Sequence, residues 1–256
     1  MSGFADATVQ LPPQGVVVSI SELQINLSDA PHPVAQHFPD EIEACWKGES
    51  KANPALYDGI VLLAGNVIYS HGRLNIDVHR TRFATLLWWR RNFYRTPYVH
   101  MFCMAVPMTV EGKLVAIKMA AHTANPGRIY CAAGTLDEGD LDGRTVDYDA
   151  NMRRELKEET GLEIAGVHGL QALHENGRLV IFRAVELGLT VTEAEARIRM
   201  HMAVDHEKEI EGPVFVENGK SLPENFASFM GPIINWVLNE QFKTEERVNG
   251  TILRHI

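Results

Sequence analysis

Residues 154–162 read Arg154-Glu155-Leu156-Lys157-Glu158-Glu159-Thr160-Gly161-Leu162. On a helix, Glu155, Glu158 and Glu159 stand at i, i+3 and i+4, so their carboxylates share one face. Met152 and Leu156 occupy an adjoining side that can turn to a core. Gly161 is placed to supply a left-handed C-cap, with Leu162 folding back on Leu156. Three like charges on one face repel by roughly 0.2–0.5 kcal/mol per pair. They also lie near the helix C-terminus, where the macrodipole disfavours anions. A hard divalent cation removes both penalties, and carboxylate oxygens are the ligands Mg²⁺ prefers. Read alone, E-x-x-E-E is more often a solvated charged face with Arg154 and Glu158 as a simple i,i+4 pair.

The surroundings of the helix change that balance. The chain has 256 residues and a formal net charge of −9. Between Asp137 and Glu163 ten acids face four bases, which places −6 of the −9 in 27 residues. Upstream, Gly134-Thr135-Leu136-Asp137-Glu138-Gly139-Asp140 leads into the helix. The helical string resembles the R-E-U-x-E-E-x-G-U half of the Nudix box, where U is a bulky aliphatic residue. The segment from Gly134 resembles the opening G-x5-E half, with Asp140 in place of the usual Glu. Thirteen residues separate Asp140 from Arg154 where the box has seven, an insertion of six within 141–150. A longer loop there is easy to accommodate and leaves the helical spacing untouched.

The resemblance implies an α/β/α sandwich with a mixed sheet, and hydrolysis of a nucleoside diphosphate linked to another moiety. It implies Mg²⁺ or Mn²⁺ held by Glu155, Glu158 and Glu159, with Glu155 also orienting or deprotonating a water. Arg154 would steady the carboxylates, and Gly134 and Gly139 would shape the loop. Such enzymes often draw a further acid from a later loop. Asp205, Glu207, Glu209 and Glu211 form a cluster of that kind, with Glu207 or Glu209 as fourth ligand or general base, or else as an exposed acidic turn. Clustered metal can activate water and stabilise the leaving oxygen of a diphosphate. The residues that bind the rest of the substrate are not assigned. The stretch Asn53-Pro54-Ala55-Leu56-Tyr57-Asp58-Gly59, followed by 85–90, resembles the leader of Nudix enzymes that hydrolyse UDP-sugars, and so suggests a nucleotide sugar. The alternative is a catalytically weak Nudix-fold module that binds nucleotides or regulates, motivated by Asp140 and the insertion.

Elsewhere, strand and helix patterns mix without regular βαβ alternation, which favours a layered α/β or α+β fold over a TIM barrel or Rossmann domain. Strands are expected at 16–20, 128–132 and 214–216. Hairpins are expected at 60–70 about Gly65-Asn66, at 101–119 about Glu111-Gly112, and at 167–185 about Asn176-Gly177. Helices are expected at 34–47, 82–91, 192–202 with Thr192 as N-cap, and 224–242 with a bend at Gly231-Pro232. Residues 1–97 are read as an N-terminal α+β extension or subdomain and 98–256 as the hydrolase domain.

Composition excludes several classes. Hydrophobic residues make up 45% and charged residues 22%, the balance of a globular chain. An acidic chain without a basic block is a poor nucleic-acid binder and is not built for an anionic membrane. The opening residues lack a basic n-region and an apolar h-region, so a cytoplasmic location is expected. Cys45, Cys103 and Cys131 are odd in number and widely spaced, as suits reduced thiols. Trp88-Trp89 with Arg90-Arg91 could stack a base and hold phosphate, but core packing is the preferred reading. His201 and His206, five apart, do not make a zinc pair. Neither a P-loop, a G-x-G-x-x-G nor a G-x-S-x-G motif is present, and a homodimer is left open.

Overall fold

Two mixed sheets form the protein, a computed structural model of which describes Phe4 and residues 7–239. The chain runs β1 (Val9–Gln10), β2 (Val17–Ile20), β3 (Glu22–Ser28), α1 (Pro33–His37), α2 (Pro39–Ala52), β4 (Ile60–Ser70), β5 (Arg73–Arg82), α3 (Phe83–Asn92) and β6 (His100–Met108). It continues through β7 (Leu114–Met119), β8 (Ile129–Tyr130), β9 (Leu141–Asp142), β10 (Thr145–Val146), α4 (Tyr148–Thr160) and β11 (Gly166–Glu175). β12 (Arg178–Glu186), α5 (Val191–Val204), β13 (Ile210–Val216) and α6 (Met230–Leu238) complete it. The first sheet has the order β1-β4-β5-β3-β10-β9, and the second β13-β7-β6-β12-β11-β2 with β8 against β7. The mixed α+β architecture expected from the sequence is therefore present.

Alternation along β4 assigns the layers. Val61 and Leu63 pack into a core with α1, α2 and α3, while Leu62 and Ala64 enter the larger core that both sheets share. Strict alternation would next bury Asn66. Instead Ala64 pairs with Val78 and Val67 with Ile76, so Gly65 and Asn66 together oppose Asp77 in a bulge. The bulge shifts the phase by one residue and returns Val67 and Tyr69 to the shared core. The hairpin expected at Gly65-Asn66 is thus corrected. The turn lies at His71-Gly72, both with positive φ, as a two-residue hairpin requires. A Cβ on Gly65 would run into the His79 ring, so that glycine serves close packing rather than a turn.

Other boundaries move for local reasons. The helix expected at 34–47 is two helices, because Pro39 starts α2 after Phe38 leaves helical geometry. α5 is capped by Thr190, not Thr192, through a capping box with Glu193. The helix expected from residue 224 begins at Met230, with Pro232 tolerated in its first turn; the part expected at 240–242 lies outside the described residues. The 167–185 hairpin turns at Asn176-Gly177 as expected, with φ of 48° and 74°.

The sheets exchange strands across residue 97. β2 pairs with β11 in the second sheet, and β10 pairs with β3 in the first through Thr145 and Asn26. The six inserted residues before α4 are therefore not a loose loop. They form the β9–β10 hairpin at the edge of the first sheet, fastened by Leu27 N–H on the Arg144 carbonyl and by the Arg144 guanidinium on the Leu27 carbonyl. Among the described residues no helix is long and apolar enough to cross a membrane.

Candidate metal centre and its cavity

α4 carries the acidic triad, and its two ends are well determined. Asp147 caps the N-terminus by accepting from Ala150 N–H at 2.9 Å. Gly161 closes the C-terminus at φ 69°, its N–H on the Lys157 carbonyl, and Leu162 is buried close behind Leu156 in the shared core. His201 of α5 adds a cap that the sequence did not announce, its Nε2 lying 2.6 Å from the Glu158 carbonyl. His206 is exposed in a bend after α5.

The three glutamates occupy different environments. Glu155 and Glu159 are each only 8% exposed, whereas Glu158 is largely open to solvent. Burial pushes Glu155 up to about 7; Arg154 opposes the shift, and Glu158, Asp140 and Glu209 add to it. Burial raises Glu159 well above the usual carboxylate range, with Glu155 and Glu209 reinforcing it. Its Oε2 atom is buried without a hydrogen-bond partner. Leaving a carboxylate oxygen in that condition is costly unless a cation or proton meets it.

Arg154 ties the cluster together. Its Nη1 lies 2.8 Å from Glu155 Oε1 and 2.9 Å from Glu158 Oε2, and its Nη2 lies 2.9 Å from Asp140 Oδ1. Asp140 is 4% exposed and accepts from Asp137 N–H and Asn151 Nδ2 through its other oxygen. The Asp140 carboxylate thus holds the Arg154 guanidinium from the loop side. Gly134 lies against Glu155 so closely that a Cβ there would coincide with the carboxyl group. Gly139 sits in the short 3₁₀ turn 138–140, its N–H on Asp137 Oδ1 at 2.6 Å. That turn is held to the first sheet by Arg80 Nε on Glu138 at 2.7 Å and by the Leu136 carbonyl on Leu62 N–H.

Of the later acids, Glu209 is half-buried, and burial, then Glu207 and Asp205, raise its carboxyl above the ordinary value. Its charge is felt at both Glu155 and Glu159. Glu207 is exposed but lines the same cavity, in a turn shaped by Asp205 accepting from Glu207 N–H and Lys208 N–H. Glu211 is paired outward with Lys118 at 2.5 Å. The cavity, of about 320 Å³, gathers Arg154, Glu155, Glu158, Glu159, Asp205, Glu207 and Glu209. Among the described residues no closed cage of three ligating groups is preformed, since Arg154 engages Glu155 and Glu158. The donor set still suits a hard divalent cation: all oxygen, several carboxylates, one of them with an unpartnered buried atom.

A second cavity of about 340 Å³ adjoins the first, sharing Asn125, Tyr130, Ala133, Gly134 and Thr135. It brings together Arg90 from α3, His100 from β6, Arg128 and Arg178. Sequence reasoning did not find this group, because its members come from separate elements and no spacing links them. The sole hint was Arg90 in the Trp88-Trp89-Arg90-Arg91 run, where both tryptophans are core residues, 2% and 4% exposed, as preferred. The leader residues act as supports. Asp58 pairs with Arg82 and accepts from Ala84 N–H at the start of α3. Asn53 Nδ2 donates to the His122 carbonyl at 2.7 Å, in the loop that reaches the cavities.

No family model matches the sequence, and no curated protein matches it. Solved structures do. A MutT protein from Methanosarcina mazei Go1 is 16% identical with a TM-score of 0.36, over 59% of this chain and 96% of that one. A NUDIX hydrolase from Nitrosomonas europaea is 13% identical with a TM-score of 0.38, over 62% of this chain and 77% of the other. A MutT NUDIX hydrolase from Burkholderia pseudomallei is 16% identical with a TM-score of 0.35, over 54% and 95%.

Proposed function

We propose that the protein hydrolyses the pyrophosphate bond of a nucleoside diphosphate linked to another moiety, with Mg²⁺ or Mn²⁺ bound by Glu155, Glu158 and Glu159 and assisted by Glu209. The observation that carries this reading is the buried, partnerless Glu159 Oε2 among convergent carboxyl groups. A divalent cation bound there would neutralise the diphosphate and lower the pKa of an attacking water. The chain's own residues do the rest. Arg154, anchored on Asp140, holds Glu155 and Glu158 side by side. Gly134 allows the loop to close over Glu155. Glu209, raised by burial and then by its acidic neighbours, is the better placed general base, since Glu207 is exposed.

The reading as a weak binding module rested on Asp140 and the insertion. Asp140 retains the contact to Arg154, and the insertion is absorbed in the β9–β10 hairpin, which supports turnover instead. Nucleotide sugars are the first substrates to test, alongside dinucleotides and coenzyme A, with Mg²⁺ and identification of phosphate-bearing products. Glu158→Gln and Glu159→Gln should each lower turnover by roughly 100-fold or more while unfolding stays cooperative. Near-normal activity in both variants would remove the assignment of the site.

A further inference from the structure

The cavity beside the acidic one has the opposite charge. Arg90, Arg128 and Arg178 line it together with His100, Phe102, Phe226 and Phe229. Among the described residues no carboxylate pairs with any of the three guanidiniums; Arg90 bonds the Ala124 carbonyl and the Asn125 amide oxygen, both neutral. Burial lowers Arg90, with Arg178 adding to the effect and Glu49 opposing it at a distance, and burial lowers Arg178, with Arg128 adding and Glu175 opposing. His100 is pushed down to about 3 by burial and by Arg90 and Arg178, so it is neutral and can offer one N–H. Its Nε2 atom is shut off from solvent without a hydrogen-bond partner. Glu49 and Glu175 offset these charges only from a distance, so three guanidiniums and an unmet nitrogen around one space favour an anion within it. The requirement is independent of any metal, which the carboxylates of the adjoining cavity would hold.

We propose that this arginine-lined cavity is a subsite for a phosphate monoester carried by the substrate on the moiety away from the scissile diphosphate. A monoester dianion offers three terminal oxygens to guanidinium forks, the geometry that arginine matches best. Phe102, Phe226 and Phe229 supply an apolar wall for the group that bears it. The proposal rests on the reading of the neighbouring cavity as the hydrolytic site, and narrows its substrates to diphosphates with an additional phosphate.

Calorimetric titration of the full chain in EDTA tests it without turnover. The probes are inorganic phosphate, coenzyme A and dephospho-coenzyme A; the last two share the diphosphate and differ by one phosphate monoester. Saturable phosphate binding is expected, with coenzyme A bound at least tenfold more tightly than dephospho-coenzyme A. Arg128→Gln, at an exposed position, and Arg178→Gln should each abolish that preference, whereas Glu158→Gln should leave it intact. Equal affinity for the two coenzymes in the parent protein, or a preference that survives both arginine variants, overturns the subsite. Failure of the Mg²⁺-dependent product assay with phosphate binding intact counts against the hydrolytic reading alone.

Discussion

At the residue scale, Gly134 has the most direct link to the candidate chemistry. Any side chain there meets the Glu155 carboxyl, while at Gly139 a Cβ would lie 3.0 Å from Asp137 Oδ1, a contact that the side chain can relieve. Gly134→Ala should therefore weaken Mg²⁺ affinity by roughly tenfold or more, as disturbance of a supporting contact does. Gly139→Ala should stay near the parent value, and calorimetry with MgCl₂ compares the two. Asp140 makes a different contribution. Asp140→Ala removes the acceptor of Arg154 Nη2 and Asn151 Nδ2 and should cost about 1.5–3 kcal/mol in urea unfolding, the range for hydrogen bonds to a charged group. The common face of the three acids was legible from spacing, because i, i+3, i+4 dictates it, whereas their reading as metal ligands needed the residues around them. The arginine cavity was not, since Arg90, Arg128 and Arg178 meet only after three separate elements have packed.

At the scale of elements, the β9–β10 hairpin decides how the first half of the acidic motif is held. Gly143 has φ 61°, a conformation that a β-branched residue resists by about 1–2 kcal/mol. Gly143→Val should loosen the hairpin from β3, and hydrogen exchange at the Leu27 amide, which donates to the Arg144 carbonyl, should speed up accordingly. The insertion was visible in the sequence as a count of residues. Its pairing with β3 was not, because a two-residue strand has no periodicity to read and gains its stability from the edge it joins. The Gly65-Asn66 pair shows the same limit. Asn-Gly-type dipeptides serve both turns and bulges, and here the need to return Val67 to the core chose the bulge.

At the scale of the whole molecule, buried neutral histidines tie stability to pH. His32 is 2% exposed; its Nε2 lies 3.0 Å from the Ala64 carbonyl and its Nδ1 accepts from Val34 N–H, so both nitrogens are committed in the neutral form. Burial lowers it to about 4, with His79 adding to the effect against the Ala64 bond. The unfolded chain binds this proton below about 6.5 while the folded chain does not. The stability contributed is therefore present above 6.5 and lost as pH falls toward 4, by about 3 kcal/mol in all. His32→Asn, which can still cap α1, should be less stable at neutral pH yet lose less between pH 6.5 and 4, as denaturant melts at each pH would record. A parallel slope in the two proteins would remove His32 from the account.

The sequence by itself determined the local features: the helix with three convergent carboxylates, its glycine cap, the acidic segment holding most of the net charge, and the mixture of strands and helices. Each follows from periodicity or from a residue's own conformational limits, which act over a few neighbours. Tertiary structure alone decided which strands share a sheet, that β2 and the β9–β10 hairpin cross between sheets, and that Glu209 is half-buried while Glu207 stays exposed at the same cavity. It also decided that an acidic cavity lies against a basic one. Those outcomes depend on burial and charge between residues distant in the chain, where adjacency is set by packing and leaves no spacing to read.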